Sequence, residues 1–115
     1  MPLEPGDIHW VELDPVLGSE QAGRRPAVIV SSFEFNDRSP RIVICPITSR
    51  MLDWPVVVAL PPSLATRGVV LCDQVRSIDR ARRLFGYIES VSDDTLFQIR
   101  DVLGAILTLD PPSGA

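Results

Sequence analysis

The chain has 115 residues, 45% of them hydrophobic and 23% charged, with a formal net charge of −4. That is material for one hydrophobic core but not two, and the chain is too apolar to be disordered, so residues 1–115 read as a single domain. The N-terminus (MPLEPGDIHW) lacks a basic stretch followed by an apolar run, and no segment approaches the roughly 18 apolar residues of a membrane span, which points to a cytoplasmic protein without membrane contact.

Taken in chain order, residues 7–13 (DIHWVEL) alternate imperfectly between apolar and polar, in the manner of a half-buried strand. A polar loop of about a dozen residues (DPVLGSEQAGRR) follows, long for a compact domain and therefore a candidate functional element. AVIVSSF, from Ala27, and RIVICPIT, from Arg41, are β-branched and bounded by Asn36-Asp37 and Pro40; they read as two buried strands joined by a turn. Shorter apolar runs at 55–60 (PVVVAL), 69–72 (VVLC) and 84–90 (LFGYIES) are separated by Pro61-Pro62, Gly68 and the arginine-rich SIDRARR. Many short strands with turns between them predict a mainly β fold, a small barrel. Beyond Ser92-Asp93-Asp94 the period changes: Leu96, Ile99, Val102, Leu103, Ile106 and Leu107 recur three or four apart, an amphipathic helix capped at Ser92 or Asp93 and ended by Asp110-Pro111-Pro112. Gly104 inside it marks either a close backbone contact or simple tolerance.

All eleven cations are arginine, nine of them gathered at Arg24/Arg25, Arg38/Arg41/Arg50 and Arg76/Arg80/Arg82/Arg83. Arginine grips phosphate bidentately and stacks on bases, so the clusters leave room for a nucleic-acid partner despite the acidic total. Cys45 and Cys72 lie in apolar runs without metal-ligand spacing, which argues against zinc and for buried free thiols. His9 is the single histidine, so a nuclease built on paired imidazoles is excluded within one protomer. Asp7, Glu12 and Asp14 do not all share one strand face, so no carboxylate set for two-metal cleavage is apparent. Serine-hydrolase and phosphate-loop signatures are absent.

What remains is the glycine-flanked loop ending in Arg24-Arg25-Pro26 and a strand ending at Thr48-Ser49-Arg50. Pro26 fixes the backbone after the arginine pair, so Arg25 leaves a flexible loop at a rigid strand edge. In RNA cleavage by its own 2′-hydroxyl, a phosphorane develops negative charge on its non-bridging oxygens, which an arginine and a hydroxyl can stabilise together. On residue types alone, Arg25 reads first as a surface ion-pair partner of Glu20, and Thr48 as an ordinary strand end.

The ordered motifs GDIHWVELDPVLGSEQAGRRPAVIVSS, ICPITS and LCDQVRSIDRARRL resemble the MazF/PemK family of toxin endoribonucleases, from Gly6 to the C-terminal helix. The resemblance implies an SH3-like β-barrel of five to seven strands with a C-terminal helix, assembled as a homodimer with RNA in grooves at the interface. It implies the toxin of a type II toxin-antitoxin system, a sequence-specific endoribonuclease that cuts single-stranded RNA to 2′,3′-cyclic phosphate and 5′-hydroxyl ends. No metal or cofactor is implied, and the partner is an acidic, MazE-like antitoxin. By position the catalytic arginine falls on Arg25 and the catalytic threonine on Thr48. Ser19, Glu20 and Gln21 fall in the loop that closes over RNA, Gln74 and Arg76 line the same groove, and Arg24 adds a second cation. Ser77 and Asp79 are turn-forming or ion-pairing residues. Because arginine is a poor general base, Glu20 is the candidate for taking the 2′-hydroxyl proton. Trp10 and Trp54 are candidate platforms for unpaired bases, though a tryptophan beside a strand more often belongs to the core.

Two rivals share the barrel. A gyrase-binding toxin of the CcdB type cuts nothing and acts through an aromatic-tipped C-terminal helix, whereas this chain ends in DPPSGA. A catalytically silent SH3-like binding module would hold an RNA or peptide strand without turning it over.

Overall fold

The structure, a computed structural model, describes residues 2–15, 18 and 22–109. Seven strands form one antiparallel sheet: β1 (Asp7–Glu12), β2 (Arg24–Ile29), β3 (Arg41–Thr48), β4 (Val57–Ala59), β5 (Val69–Leu71), β6 (Arg76–Asp79) and β7 (Leu84–Ser90). The helices are α1 (Phe33–Arg38), the single turn α2 (Arg80–Arg83) and α3 (Asp93–Ile106), with a 3-10 turn at Cys72–Gln74. The strand order is β4-β5-β3-β2-β1-β7, with β6 also paired to β3.

The spine is β3. One of its edges takes β2, with Ala27 opposite Pro46 and Ile29 opposite Ile44. The other edge is divided: β6 pairs with residues 41–44, and β5 with Ile47 and Thr48. Pro46, which has no N–H to give a ladder, falls in the gap between these two partners. The strand can therefore serve two neighbours in succession without an orphaned amide at the break.

Both faces of the sheet are buried, which is why its strands read as continuous apolar runs more than as alternation. Ala27, Ile29, Ile42 and Ile44 pack with Val11, Leu13 and Ile78 on one face. On the other, Ile8, Val28, Cys45, Ile47 and Val70 meet Ile99 and Leu103 of α3. The cap of α3 is Ser92, whose hydroxyl accepts from the Thr95 amide at 3.2 Å, with Asp93 and Asp94 in the first turn. Cys45 and Cys72 are free and buried.

The strand expected from Ala27 to Phe33 instead runs from Arg24 to Ile29, and the expected turn around Asn36-Asp37 is the helix α1. Ser32 caps it, accepting from the Phe35 amide, and the buried Asn36 amide donates to the carbonyls of Leu3 and Ser31. SIDRARR is not a mere separator: Ile78 is buried in β6, and Asp79 accepts from the Arg82 amide to start α2. The runs at 55–60 and 69–72 contract to β4 and β5, with Cys72 in the 3-10 turn. A Cβ at Gly104 would meet nothing within 4 Å, so this glycine is tolerance and not a close contact.

The sheet does not close into the expected barrel. Strands β4 and β7 stand at opposite ends of the order and do not pair. A side chain spans the opening instead: the Glu89 carboxylate on β7 accepts from the Ala65 amide at 3.2 Å, and from the Thr66 amide and hydroxyl at 2.6 Å each.

Candidate nucleic-acid interface

The seam held by Glu89 carries an open cleft of about 360 Å³, whose walls include Trp10, Arg24, Arg25, Pro26, Ser49 and Arg67. Three guanidinium-bearing side chains around one hollow make a locally cationic site on an acidic protein. In the β1–β2 register Trp10 lies opposite Pro26, so the indole shares a wall with the arginine pair. Arg24 stacks over Phe85 of β7 at 4.0 Å from the ring centroid, a cation–π contact that orders the side chain while leaving its charge in place.

The loop before β2 is drawn together at its root. The Leu13 amide donates to the Gly23 carbonyl at 2.9 Å, and the Gly23 amide to the Asp14 carboxylate at 3.0 Å. Arg25 Nε donates to the Ala22 carbonyl at 2.8 Å, which fixes the base of the guanidinium. Two further arginines satisfy carbonyls where β1 leaves the sheet: Arg76 donates to Leu13 at 3.4 Å, and Arg83 to Glu12 at 3.2 Å and to Asp14.

Thr48 ends β3, and its buried hydroxyl accepts from the Arg50 amide at 3.3 Å. The register Ala27 to Pro46, carried two residues further, brings Arg25 and Thr48 to the same end of the same strand pair. The cleft wall takes Ile47 and Ser49, whose side chains alternate with Thr48. Of the candidate residues, then, Arg24 and Arg25 line the cleft and Thr48 lies at the adjoining strand end. Arg76 braces the loop root, and Gln74 closes the 3-10 turn; neither lines the cleft. Ser19, Glu20 and Gln21 lie outside the described residues.

Trp10 and Trp54 are not core residues; both are exposed, Trp10 in the cleft. Sequence reasoning missed Arg67, Thr66 and Glu89, because residues 66 and 89 meet only through the fold. The hydrogen bond from the Thr66 hydroxyl, together with the Thr66 and Ala65 amides, holds the Glu89 carboxyl below its ordinary range. Cys45 is pushed the other way, up, by its hydrogen bond with Cys72 and by burial, which keeps it a thiol and no nucleophile. His9 is structural as well. Its Nδ1 lies 3.1 Å from the Phe85 carbonyl, and its ring meets Tyr87 edge-on.

Among the described residues no group of three His, Cys, Asp or Glu could hold a metal ion, and no helix is long and apolar enough to cross a membrane. The fold is that of a small toxin of the MazF class: MazF from Deinococcus radiodurans superposes with a TM-score of 0.86 at 34% identity, over 95% of this chain and 99% of that one. The same toxin in a MazE-MazF complex gives 0.79 at 36% identity, over 93% and 96% of the two chains. The family of PemK-like, MazF-like toxins of type II toxin-antitoxin systems matches residues 4–107, and the chain belongs to it. Endoribonuclease PemK of Escherichia coli is 36% identical over 111 residues, covering 92% of this chain and 83% of PemK. The endoribonuclease toxin MazF of Escherichia coli is 44% identical over 73 residues, a match spanning 64% of this chain and 65% of that protein.

Proposed function

We propose that this chain is the toxin of a type II toxin-antitoxin pair and acts in the cytoplasm as a sequence-specific endoribonuclease on single-stranded RNA. The observation that carries the reading is Arg25, tethered at Nε by the Ala22 carbonyl, at the mouth of an arginine-lined cleft beside the strand end that bears Thr48. The 2′-hydroxyl attacks the adjacent phosphorus, and Arg25 meets the charge that grows on the non-bridging oxygens. Thr48, whose hydroxyl keeps its own proton while accepting from the Arg50 amide, donates to the same oxygen. Each such donor supports about 10²–10³ in rate. The P–O5′ bond breaks, the departing 5′-oxygen takes a proton from water to become a hydroxyl, and a 2′,3′-cyclic phosphate remains, without a metal. Glu20 accepts the attacking proton, Ser19 and Gln21 close the loop over the strand, and Gln74 and Arg76 extend the groove. Arg24, ordered by Phe85, neutralises a neighbouring phosphate.

Two copies form the working dimer, and an acidic antitoxin covers the cleft, as fits relatives solved as MazE-MazF complexes. The decisive experiment incubates the protein with long single-stranded RNA in excess EDTA, beside Arg25→Ala and Thr48→Ala, and maps fragment ends. Cleavage that persists in EDTA, leaves cyclic phosphates and drops at least a hundredfold in both variants supports the assignment. Intact RNA with folded wild type refutes it and directs the next assay to gyrase. A Glu20→Ala variant with wild-type rate and pH profile removes Glu20 from the scheme.

A further inference from the structure

The cleft does not end at Arg67. A second hollow, of about 390 Å³, shares Ser49, Thr66 and Arg67 with the first and continues over Met51, Leu60, Pro61 and Pro62. The two differ in chemistry. The first is ringed by Arg24, Arg25 and Trp10; the second is walled by apolar faces, with Met51 largely exposed. Arg67 stands at their junction and is exposed, while Thr66 beside it is buried and fastened to Glu89 through both its amide and its hydroxyl. The strands β4 and β7 do not pair, so no strand ladder joins this segment to β7.

We propose that the two hollows are one track for single-stranded RNA, extending the site by about one nucleotide past Arg67, which takes the phosphate at the junction and is set there by Glu89 as a positioning residue. The proposal rests on the endoribonuclease reading above. Its logic is the alternation of a nucleic-acid strand: a cation where the backbone passes, an apolar surface where an unpaired base lies flat. Sulfur and proline faces accept any base, so this subsite adds affinity with little sequence preference. Glu89 touches no RNA. It removes the freedom of the turn that carries Arg67, so the guanidinium meets the phosphate without first being ordered.

The test uses two oligonucleotides built around the cleavage site mapped on long RNA: a short core, and the core extended by three nucleotides on one side or the other. In wild type the extension on one side lowers KM. In Arg67→Ala that advantage falls about tenfold, the loss lies in KM and not in kcat, and the salt slope of binding drops by about 0.7. Glu89→Gln reproduces the loss, and the double variant Arg67→Ala/Glu89→Gln is no worse than either alone. Three results overturn the proposal while leaving the function standing: no extension advantage in wild type, an advantage that survives Arg67→Ala, or additive losses in the double variant. Wild type that cleaves no RNA overturns the underlying reading and this one with it.

Discussion

Gly68 begins the return from the second hollow into β5, and its φ is +114°, a backbone conformation that side chains rarely adopt. A Cβ there would stand 1.8 Å from the Thr48 carbonyl oxygen, 2.7 Å from the Thr48 carbonyl carbon and 2.8 Å from the Ser49 Cα. All three neighbours are backbone atoms of the β3 end, so no side chain can swing aside. Gly68→Ala must either rotate residue 68 out of its conformation, breaking the bond its carbonyl accepts from the Leu60 amide, or push Thr48 away from Val69. The left-handed strain costs about 1–3 kcal/mol. Each displaced backbone hydrogen bond adds about 1 kcal/mol. A total of about 3–5 kcal/mol corresponds to a fall in Tm of about 10–20 °C for a domain of this size. Gly104→Ala is the matched control. Its Cβ meets open space inside α3, where alanine is favoured over glycine by about 0.8–1 kcal/mol, so Tm should rise by a few degrees. Thermal melts by circular dichroism and urea titrations measure both. A Gly68→Ala protein melting within about 3 °C of wild type would refute the reasoning, since it would mean that the β3 end yields at almost no cost. If the fold survives at low temperature, the proposed function expects RNA cleavage still to be lost, because the displaced atoms belong to Thr48 and Ser49.

Other expectations follow from single contacts. Replacing Ser92 by alanine removes the hydroxyl that accepts from the Thr95 amide and should cost about 1 kcal/mol, with faster amide exchange confined to the first turn of α3; unaltered exchange at Thr95 would count against the cap. Glu89 carries a pH signature. Because its carboxyl is lowered from the ordinary value near 4.5, its stabilising effect is complete above that value and is lost as pH falls through the lowered one. The gap in urea midpoint between wild type and Glu89→Gln should therefore be open at pH 7 and narrow as pH falls below the ordinary carboxylate range; a gap independent of pH would contradict the clasp. Cys45 and Cys72 should not react with an aromatic disulfide reagent in the native protein, and both should react once it is unfolded in guanidinium. Rapid native labelling would show that the core opens.

The parts of this protein legible in its sequence are those whose signals are local. Ser92 followed by two aspartates and a run spaced three and four apart announces α3, and the β-branched run at 41–48 announces β3 to the residue. Helix α1 was hidden because six residues are too short to display a helical period, and its two phenylalanines imitate strand alternation. Strand β6 was hidden because only Ile78 of its four residues is buried; pairing with β3 makes it a strand, not its composition. The candidate site divides in the same way. Motifs nominate Arg25 and Thr48, whereas Arg67 and Glu89 sit in segments without a motif and acquire meaning only when the two ends of the sheet approach. Arg76 shows the converse: its motif was legible, but its bond to the Leu13 carbonyl, which makes it a brace of the loop root, was not.

A sheet sealed by a carboxylate instead of by a strand ladder also has an evolutionary consequence. Ladder pairing ties every residue of a strand to a register, so an insertion of one residue reverses the faces of all that follow. The connection over residues 61–67 is held to β7 through Glu89 and belongs to no strand ladder. Its exposed positions, Pro62, Ser63, Ala65 and Arg67, can change while Leu64 stays packed on the core and the cores on both faces of the sheet remain as they are. The wall that would meet the substrate is thus the part of the architecture most open to change, so descendants of one ancestor could diverge in the RNA they accept without first having to refold.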